Sequence, residues 1–334
     1  MKRRLLSGVL AAAALVGGVV ITTTSSVAVS AAGTRAPASA DSDVTIEVVT
    51  HGQASDPFWS VFKRGVDDAA ARLGVTVSYS APATFDMVEM ASLIDGAVAK
   101  NPDGLVVSVP DFGALQSSLA AAADAGIPII TVNSGSDHYQ EIGAITHIGQ
   151  DELISGRAAG ARLAEEGVTH LLCINHEVGN AALDARCAGA QEGIEEAGGT
   201  LEIVQVDLND AAGVQSTVSA TLQANADIDG ILALGPTAST PAMAALDELG
   251  MTGQIPIATF DLSPDMIQAI IDGDMLFAID QQQYLQGYLP IVFLTLHSDN
   301  LSTVGGGQPV LTGPGFVTAD NAEEVLELTG EGTR

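Results

Sequence analysis

The sequence repeats one pattern of strands and helices, and the second copy begins about 125 residues after the first. The first copy spans 103–134 and the second spans 229–262, and each contains an Ile-Pro-Ile segment near its end. The offset is too long for a solenoid repeat and indicates two copies of one α/β lobe. Two facing lobes form a cleft, which is where small ligands usually bind.

The segments that separate the helical patterns are continuous apolar runs. Such runs are typical of strands buried on both faces, and hence of parallel sheets covered by helices. We predict an α/β protein with two doubly wound parallel-sheet lobes joined by a hinge, for which 147–151 is the first candidate. The clearest helix has Asp56 as its N-cap and Pro57 as its first residue. The predicted strands are 44–50, 75–80, 104–109, 128–132, 170–174, 201–206, 230–234, 256–260 and 275–279.

Residues 1–40 have the features of an export signal. A basic start at 2–4 precedes an apolar stretch at 5–21 and then a segment of small residues. The apolar stretch is short for a permanent membrane anchor, which is the alternative interpretation. No cysteine lies near the cleavage region. We therefore expect export to the periplasm or the cell exterior without a lipid anchor.

The charge balance excludes one large class of partner. The chain carries 41 acidic residues and 12 Lys and Arg residues. Four of these bases lie in the leader, so 8 remain after cleavage following Ala40, and the mature net charge is −33. A nucleic acid requires a basic surface, so we predict no nucleic-acid binding. We expect a soluble monomer without a metal or an organic cofactor.

The chain has two cysteines, Cys173 and Cys187. Cys173 lies in a predicted strand and Cys187 in the helix that follows. Export permits a disulfide between them. Two separate buried thiols are the alternative, and the sequence does not decide between the two.

Polar residues follow the carboxyl ends of the predicted strands, where open parallel sheets place their ligands. They lie at 51–59, 108–111, 133, 176–186, 235–237, 261 and 280–283. Carboxylates, amides and hydroxyls bind hydroxyl groups, and aromatic rings cover C–H faces. This set favours a neutral polyhydroxylated ligand. The candidate binding residues are Asp56, Phe58, Trp59, Ser108, Asn133, Gln150, Asn180, Arg186, Thr237, Asp261 and Gln281.

Each candidate also has a purely structural interpretation. Asp56 is a helix cap, Phe58 and Trp59 are possible core residues, and Asn133 and Asp261 are possible turn residues. The matching positions of Asn133 and Asp261 in the two copies favour function. An anionic ligand is disfavoured, because Arg186 is expected to face Asp56, Asp184 and Asp261.

The sequence carries no strong enzyme signature. It lacks a dinucleotide-binding glycine motif after the first strand, a Walker loop and a nucleophile elbow. Its His residues do not have metal-ligand spacing. The segment 207–210 resembles the start of a calcium loop but lacks the later Gly and Glu, so we expect it to cap a helix. We predict neither catalytic residues nor a metal site.

Several motifs together resemble the periplasmic sugar-binding proteins of the ribose-binding type, which are the solute receptors of ABC importers. Their shared order and spacing carry the resemblance, which covers most of the mature chain. The motifs are Ser55-Asp56-Pro57-Phe58-Trp59, the segments 103–107 and 127–131, His147-Ile148-Gly149-Gln150-Asp151, Phe260-Asp261, and Asp280-Gln281-Gln282 with Gln286-Gly287-Tyr288.

The resemblance implies two lobes joined by three crossovers that close on the ligand. The first lobe is expected to comprise 43–150 plus 283–312, and the second 151–282 plus 313–330. The resemblance also implies a membrane permease as partner. Asp56, Phe58, Trp59 and Asn133 are expected to bind from the first lobe. Arg186, Asp261 and Gln281 are expected to bind from the second lobe or the hinge.

One position departs from the resemblance. Ribose and galactose receptors typically place Asp-Arg where this chain has Asn133-Ser134, so a strong hydroxyl clamp is missing. A sugar alcohol, a furanose-like compound or an inositol derivative therefore becomes as plausible as a standard aldopyranose. The alternative functions are a sensory receptor for a chemoreceptor or kinase, and an enzyme on the same fold.

Overall fold

The structure is a computed structural model that describes residues 42–52 and 56–334. The predicted export signal and Ser55 lie outside these residues. Within them, no helix is long and apolar enough to span a membrane. The described residues form one compact unit.

Two six-stranded sheets form the framework of this unit, and each belongs to one lobe. The first has the order β11-β5-β4-β3-β1-β2 and the second the order β12-β10-β9-β8-β6-β7. Every pairing is parallel except β10 with β12, which is antiparallel. The first sheet consists of β1 (Thr45–Val49), β2 (Thr76–Ser80), β3 (Gly104–Val107), β4 (Ile129–Val132), β5 (Thr146–Gly149) and β11 (Val310–Leu311). The second consists of β6 (His170–Asn175), β7 (Thr200–Gln205), β8 (Gly230–Ala233), β9 (Ile257–Phe260), β10 (Phe277–Asp280) and β12 (Gly315–Thr318).

Helices cover both faces of each sheet. In the first lobe, adjacent strand residues Val48 and Val49 belong to apolar clusters on opposite faces of the sheet. This explains why the strands read as continuous apolar runs. The helices are α1 (Pro57–Leu73), α2 (Met87–Val98), α3 (Phe112–Asp124), α4 (Glu152–Glu165), α5 (Ala181–Glu196), α6 (Ala211–Ala224), α7 (Pro236–Leu249), α8 (Pro264–Asp272), α9 (Gln283–Asn300) and α10 (Ala322–Glu331). The predicted α/β fold with two doubly wound lobes is confirmed.

Within residues 42–52 and 56–334, the chain changes sheets three times. It passes to the second sheet between β5 and α4, returns between β10 and α9, and passes again between β11 and β12. These crossovers lie at 150–151, 281–282 and 312–314. Helix α9 packs on α1 of the first lobe and α4 packs on α5 of the second. We keep the lobe boundaries 43–150 plus 283–312 and 151–282 plus 313–330 as a proposal, because sheet membership changes at these crossovers.

Some details correct the sequence-based expectation, and others complete or confirm it. Residues 146–149 form strand β5, so the first crossover is shorter than the predicted hinge at 147–151. Strand β12 runs antiparallel, whereas only parallel strands were predicted. Cys173 and Cys187 form a disulfide between β6 and α5, which decides the question that the sequence left open. Asp210 caps α6, as expected for the segment 207–210.

Candidate ligand-binding site

The cavity between the lobes starts at the N-terminus of α1. Asp56 Oδ1 accepts a hydrogen bond from the Phe58 backbone N–H at 2.9 Å, so Asp56 is the helix cap that the sequence predicts. Phe58 and Trp59 follow in the first turn, and their rings meet edge to face at 4.9 Å. Both rings are buried, and both line the cavity. Each of these three residues therefore has a structural contact and also faces the site.

His51 follows β1, and its position is fixed by Ser108, which follows the neighbouring strand β3. Ser108, after β3, lies 2.8 Å from His51 Nδ1, and its Oγ accepts a hydrogen bond from the His51 backbone N–H. The His51 ring meets Trp59 edge to face at 4.8 Å. On its other side, His51 Nε2 lies 3.8 Å from Glu177 Oε2 of the second lobe. Ser108 thus supports a cavity residue without lining the cavity.

Asn133 and Asp261 occupy matching places at the ends of β4 and β9. Their φ values are 62° and 63°, in the left-handed region that Asn and Asp tolerate better than most residues. Gln281 connects them across the crossover. Its Nε2 donates to Asp261 Oδ1 at 2.6 Å, and its Oε1 accepts from Asn133 Nδ2 at 3.4 Å. The repeat in the sequence therefore brings two equivalent turn residues to one cavity.

Arg186 supplies the cationic group of the second lobe. Its Nη1 lies 4.0 Å from Asp261 Oδ2 and donates to the Leu234 carbonyl oxygen at 3.4 Å. Its guanidinium stacks over the Phe260 ring at 4.6 Å. The expected neighbour Asp184 instead accepts a hydrogen bond from Asn175, because its side chain lies toward β6. The closer ion-pair partner of Arg186 is Glu152 at 2.6 Å, a residue that sequence reasoning missed.

Asn180 also belongs to the cavity wall of the second lobe. Its Oδ1 accepts from the Ala182 backbone N–H and so caps α5. Its Nδ2 donates to Glu177 Oε2 at 2.7 Å. This bond fixes a buried carboxylate at the cavity surface.

The cavity is small, and its lining is mainly polar. Both lobes contribute to its wall. The lining residues are His51, Asp56, Phe58, Trp59, Asn133, His176, Glu177, Asn180, Leu183, Arg186, Leu234, Asp261 and Gln281.

Burial shifts the ionisation of this wall toward neutral forms. It raises the pKa of Asp261 to about 7, against an opposing effect of Arg186. It raises the pKa of Glu177 to about 7 and that of Asp56 to about 6. It lowers the pKa of His51 and of His176 to about 3, and the charge of Arg186 adds to this. The site thus offers many hydrogen-bonding groups with little net charge.

Eight predicted residues line this cavity, namely Asp56, Phe58, Trp59, Asn133, Asn180, Arg186, Asp261 and Gln281. Three others lie elsewhere. Ser108 binds His51, Gln150 donates to Glu152 in the first crossover, and Thr237 is part of the first turn of α7. Contact between any of these residues and a ligand stays a prediction.

The cavity also contains residues that were not selected from the sequence, namely His51, His176, Glu177, Leu183 and Leu234. Four of them follow strand ends, which is the rule that identified the other candidates. Leu183 lies one turn into α5 and carries no polar signal, so only the fold reveals it.

Comparison with known proteins agrees with this architecture. Residues 46–300 match the family model described as periplasmic binding protein domain. The chain therefore belongs to this family of periplasmic binding proteins, and the family predicted from the sequence is confirmed.

Individual proteins that resemble this chain are described as carbohydrate transporters or sugar-binding proteins. A carbohydrate transporter from Acidothermus cellulolyticus 11B, solved in complex with myo-inositol, shares 37% identity with a TM-score of 0.83, covering 88% of this chain and 100% of that one. The xylose/arabinose-binding protein of Sulfolobus acidocaldarius is 28% identical over 81% of this chain and 70% of its own length. The D-allose-binding periplasmic protein of Escherichia coli is 26% identical over 68% of this chain and 76% of its own length.

Proposed function

We propose that this protein is the extracytoplasmic solute-binding component of an ABC importer and that its ligand is myo-inositol or a closely similar neutral cyclic polyol. The single observation that carries the choice of ligand is the combination of a small two-lobed cavity with the myo-inositol complex of the 37% identical carbohydrate transporter. The sugar-binding relatives support the same class of neutral polyhydroxylated ligand.

The chemistry of the wall fits hydroxyl groups around a ring. Asp261, Glu177 and Asp56 accept hydrogen bonds from hydroxyls, and the Asn and Gln amides both donate and accept. Arg186 Nη1 donates to a hydroxyl oxygen. The Trp59 and Phe58 rings cover the C–H faces of a ring-shaped ligand. In this role the cavity binds and releases its ligand unchanged.

Closure of the lobes completes the site. Across the cleft, the Ala181 backbone N–H donates to the Pro110 carbonyl oxygen at 3.0 Å, and His51 faces Glu177. These contacts join the two lobes across the cleft, and His51 and Glu177 also line the cavity. A ligand that binds both walls favours this closed arrangement over an open one.

A thermal-shift screen tests the choice of ligand, because a ligand that binds only the folded state raises the melting temperature. The panel contains myo-inositol, other inositol stereoisomers, sorbitol, ribose, xylose, allose, glucose and glucuronate. We expect the largest shift with myo-inositol and none with glucuronate. Calorimetric titration then gives the dissociation constant, and chromatography of the released ligand checks that it is unchanged. If pentoses or aldohexoses stabilise the protein and inositols do not, the choice of ligand is wrong.

We propose further that the mature protein is exported without a lipid anchor and acts as a monomer. The support is the cysteine-free leader and the ability of one chain to build both walls of the cavity. Mass spectrometry of the protein from its native host tests the first point, because an acyl chain or a retained Met1 would contradict it. Light scattering with and without ligand tests the second.

A further inference from the structure

Glu152 holds the Arg186 guanidinium by two contacts. Arg186 Nε donates to Glu152 Oε2 at 2.6 Å, and Nη2 donates to Oε1 at 3.2 Å. Glu152 is 5% exposed and Arg186 is 3% exposed. Glu152 does not line the ligand cavity, whereas Arg186 does. Glu152, which lies outside the cavity, therefore fixes the orientation of Arg186, which lines it.

The two contacts decide where the remaining nitrogen points. A guanidinium is planar and rigid, so fixing Nε and Nη2 also fixes Nη1. In this orientation Nη1 lies near Asp261 and the Leu234 carbonyl oxygen, at the cavity wall. A carboxylate that engaged only one nitrogen would leave the guanidinium free to rotate.

Glu152 also connects Arg186 to the first crossover. It is the first residue of α4, immediately after the passage from the first lobe. Gln150, in that passage, is fully buried and donates from Nε2 to Glu152 Oε2 at 2.8 Å. Glu152 Oε2 thus accepts hydrogen bonds both from Gln150 in the first crossover and from Arg186 at the cavity wall.

The opposite side of the cavity is connected to the other two crossovers. Gln281 binds Asp261, and it also accepts a hydrogen bond from Gln286 Nε2 at 3.1 Å. The same Nε2 donates to Thr312 Oγ1 at 3.1 Å. Polar contacts therefore run from the first crossover through the cavity wall to the third.

We propose that Glu152 is a positioning residue for ligand binding: it orients Arg186 toward the ligand and, through its hydrogen bond from Gln150, connects Arg186 to the first crossover. The inference rests on the proposed function, because Arg186 must contact the ligand for its orientation to matter. It deepens that function by assigning a role to a buried residue outside the cavity.

The binding test compares four variants in calorimetric titration with myo-inositol. We expect Glu152→Gln and Glu152→Asp each to weaken binding about tenfold, because neither can engage both nitrogens as an ionised Glu does. Glu152→Asp keeps the charge, so a role in charge compensation alone predicts no loss. Glu196→Gln is the matched control, since it breaks the exposed Arg157–Glu196 pair of the same two helices and is expected to bind like the parent. The fourth variant, Arg186→Gln, gives the loss expected without the guanidinium.

A double-variant cycle tests whether Glu152 acts through Arg186. Replacing both residues by Gln removes both buried charges and leaves neither unpaired. We expect the double variant to bind within about twofold of Arg186→Gln alone, because the two effects are not independent. A double variant about tenfold weaker than Arg186→Gln, or a folded Glu152→Asp that binds like the parent, would overturn the proposal.

A measurement without ligand separates this proposal from the choice of ligand. The Arg186 Nε–H signal, assigned by its loss in Arg186→Gln, is expected to exchange slowly with solvent in the parent and in Glu196→Gln, and faster in Glu152→Asp. If the parent binds no polyol, the proposed function fails while this signal still reports on Glu152. An unchanged Arg186 signal in Glu152→Asp contradicts the positioning role.

Discussion

At the scale of single residues, Asn133 and Asp261 each adopt a left-handed backbone conformation and each place a polar side chain at the cavity wall. Each ends a strand with φ near 60°, where a short polar side chain is tolerated. Each side chain also reaches Gln281. The turn geometry supports the structural interpretation of these residues, and their contact with a ligand stays a prediction that variants must test.

We predict that at pH 8, above the Asp261 pKa of about 7, Asp261→Asn weakens myo-inositol binding by tenfold or more and Asp261→Ala weakens it by about 100-fold. A charge-assisted hydrogen bond contributes about 1.5–3 kcal/mol, and each 1.4 kcal/mol is about tenfold in affinity. Asn keeps the turn and an acceptor for Gln281, so it isolates the charge. Asn133→Ala is expected to cost about tenfold, because its bonds are neutral.

Asp265→Asn, at the exposed start of α8, serves as the control and should bind like the parent. Calorimetric titration measures all four variants. Parent-like binding by Asp261→Ala would identify Asp261 as a turn residue only.

We predict that stability depends on pH through Asp261. Because burial raises the pKa of Asp261 to about 7, the ligand-free folded state holds a proton that the unfolded state loses near pH 4. The stabilising contribution is complete below pH 4 and is lost as the pH rises to 7. Relative to Asp261→Asn, the unfolding free energy of the parent should fall by on the order of 2 kcal/mol between pH 5 and pH 7.5.

Urea unfolding of both proteins at several pH values measures this difference. The comparison cancels the opposite contribution of the buried histidines, whose pKa values burial lowers to about 3 to 4. A difference between the two proteins that does not change with pH would exclude a protonated Asp261 in the empty cavity.

The strand-end rule found most polar residues of the cavity because sheet geometry alone brings such residues together. It could not find the partner of Arg186. From the sequence we expected Asp184, two residues before Arg186, whereas the actual partner Glu152 lies 34 residues away. Which carboxylate reaches Arg186 depends on how α4 packs against α5.

At the scale of elements, the pairs α4–α5 and α1–α9 pack backbone against backbone. Gly156 and Gly160 of α4 face the α5 backbone, and Gly189 and Gly193 of α5 face α4 in return. A Cβ at any of these positions would overlap a backbone carbonyl oxygen of the other helix. Since Arg186 lies on α5 and Glu152 on α4, this close approach sets the distance across the ion pair.

We predict that Gly160→Ala lowers the unfolding free energy by about 2 kcal/mol, because the new methyl group must push α5 away from α4. Gly96→Ala in α2 is the matched control. A Cβ there has no neighbour within 4 Å, and Ala favours the helix by about 0.5–1 kcal/mol. Urea unfolding should therefore show opposite signs for the two substitutions, and equal effects would contradict the packing argument.

Long apolar strands were predictable and short polar ones were not. All nine predicted strands occur, with bounds shifted by one or two residues. Strand β5 has the sequence Thr-His-Ile-Gly, and His147 is buried beside Thr131 at 3.0 Å. Strands β11 and β12 have two and four residues. Neighbouring strands rather than local hydrophobicity hold these three in place.

At the scale of the whole molecule, the direct contacts between the lobes describe a closed arrangement. We predict that saturating myo-inositol reduces the radius of gyration measured by small-angle scattering, because ligand contacts to both walls favour closure. Arg186→Gln should show a smaller reduction at the same ligand concentration. If the parent binds ligand without compaction, closure does not accompany binding.

The three crossovers also have a consequence for the order in which the chain can complete its structure. The first sheet begins at residue 45 but needs β11 at 310–311, and its helix layer needs α9. The second sheet needs β12 at 315–318. Neither lobe can therefore finish before almost the entire polypeptide has been synthesised. A chain of this topology stays incomplete until late, and a fragment cut between the two repeats would contain no complete lobe.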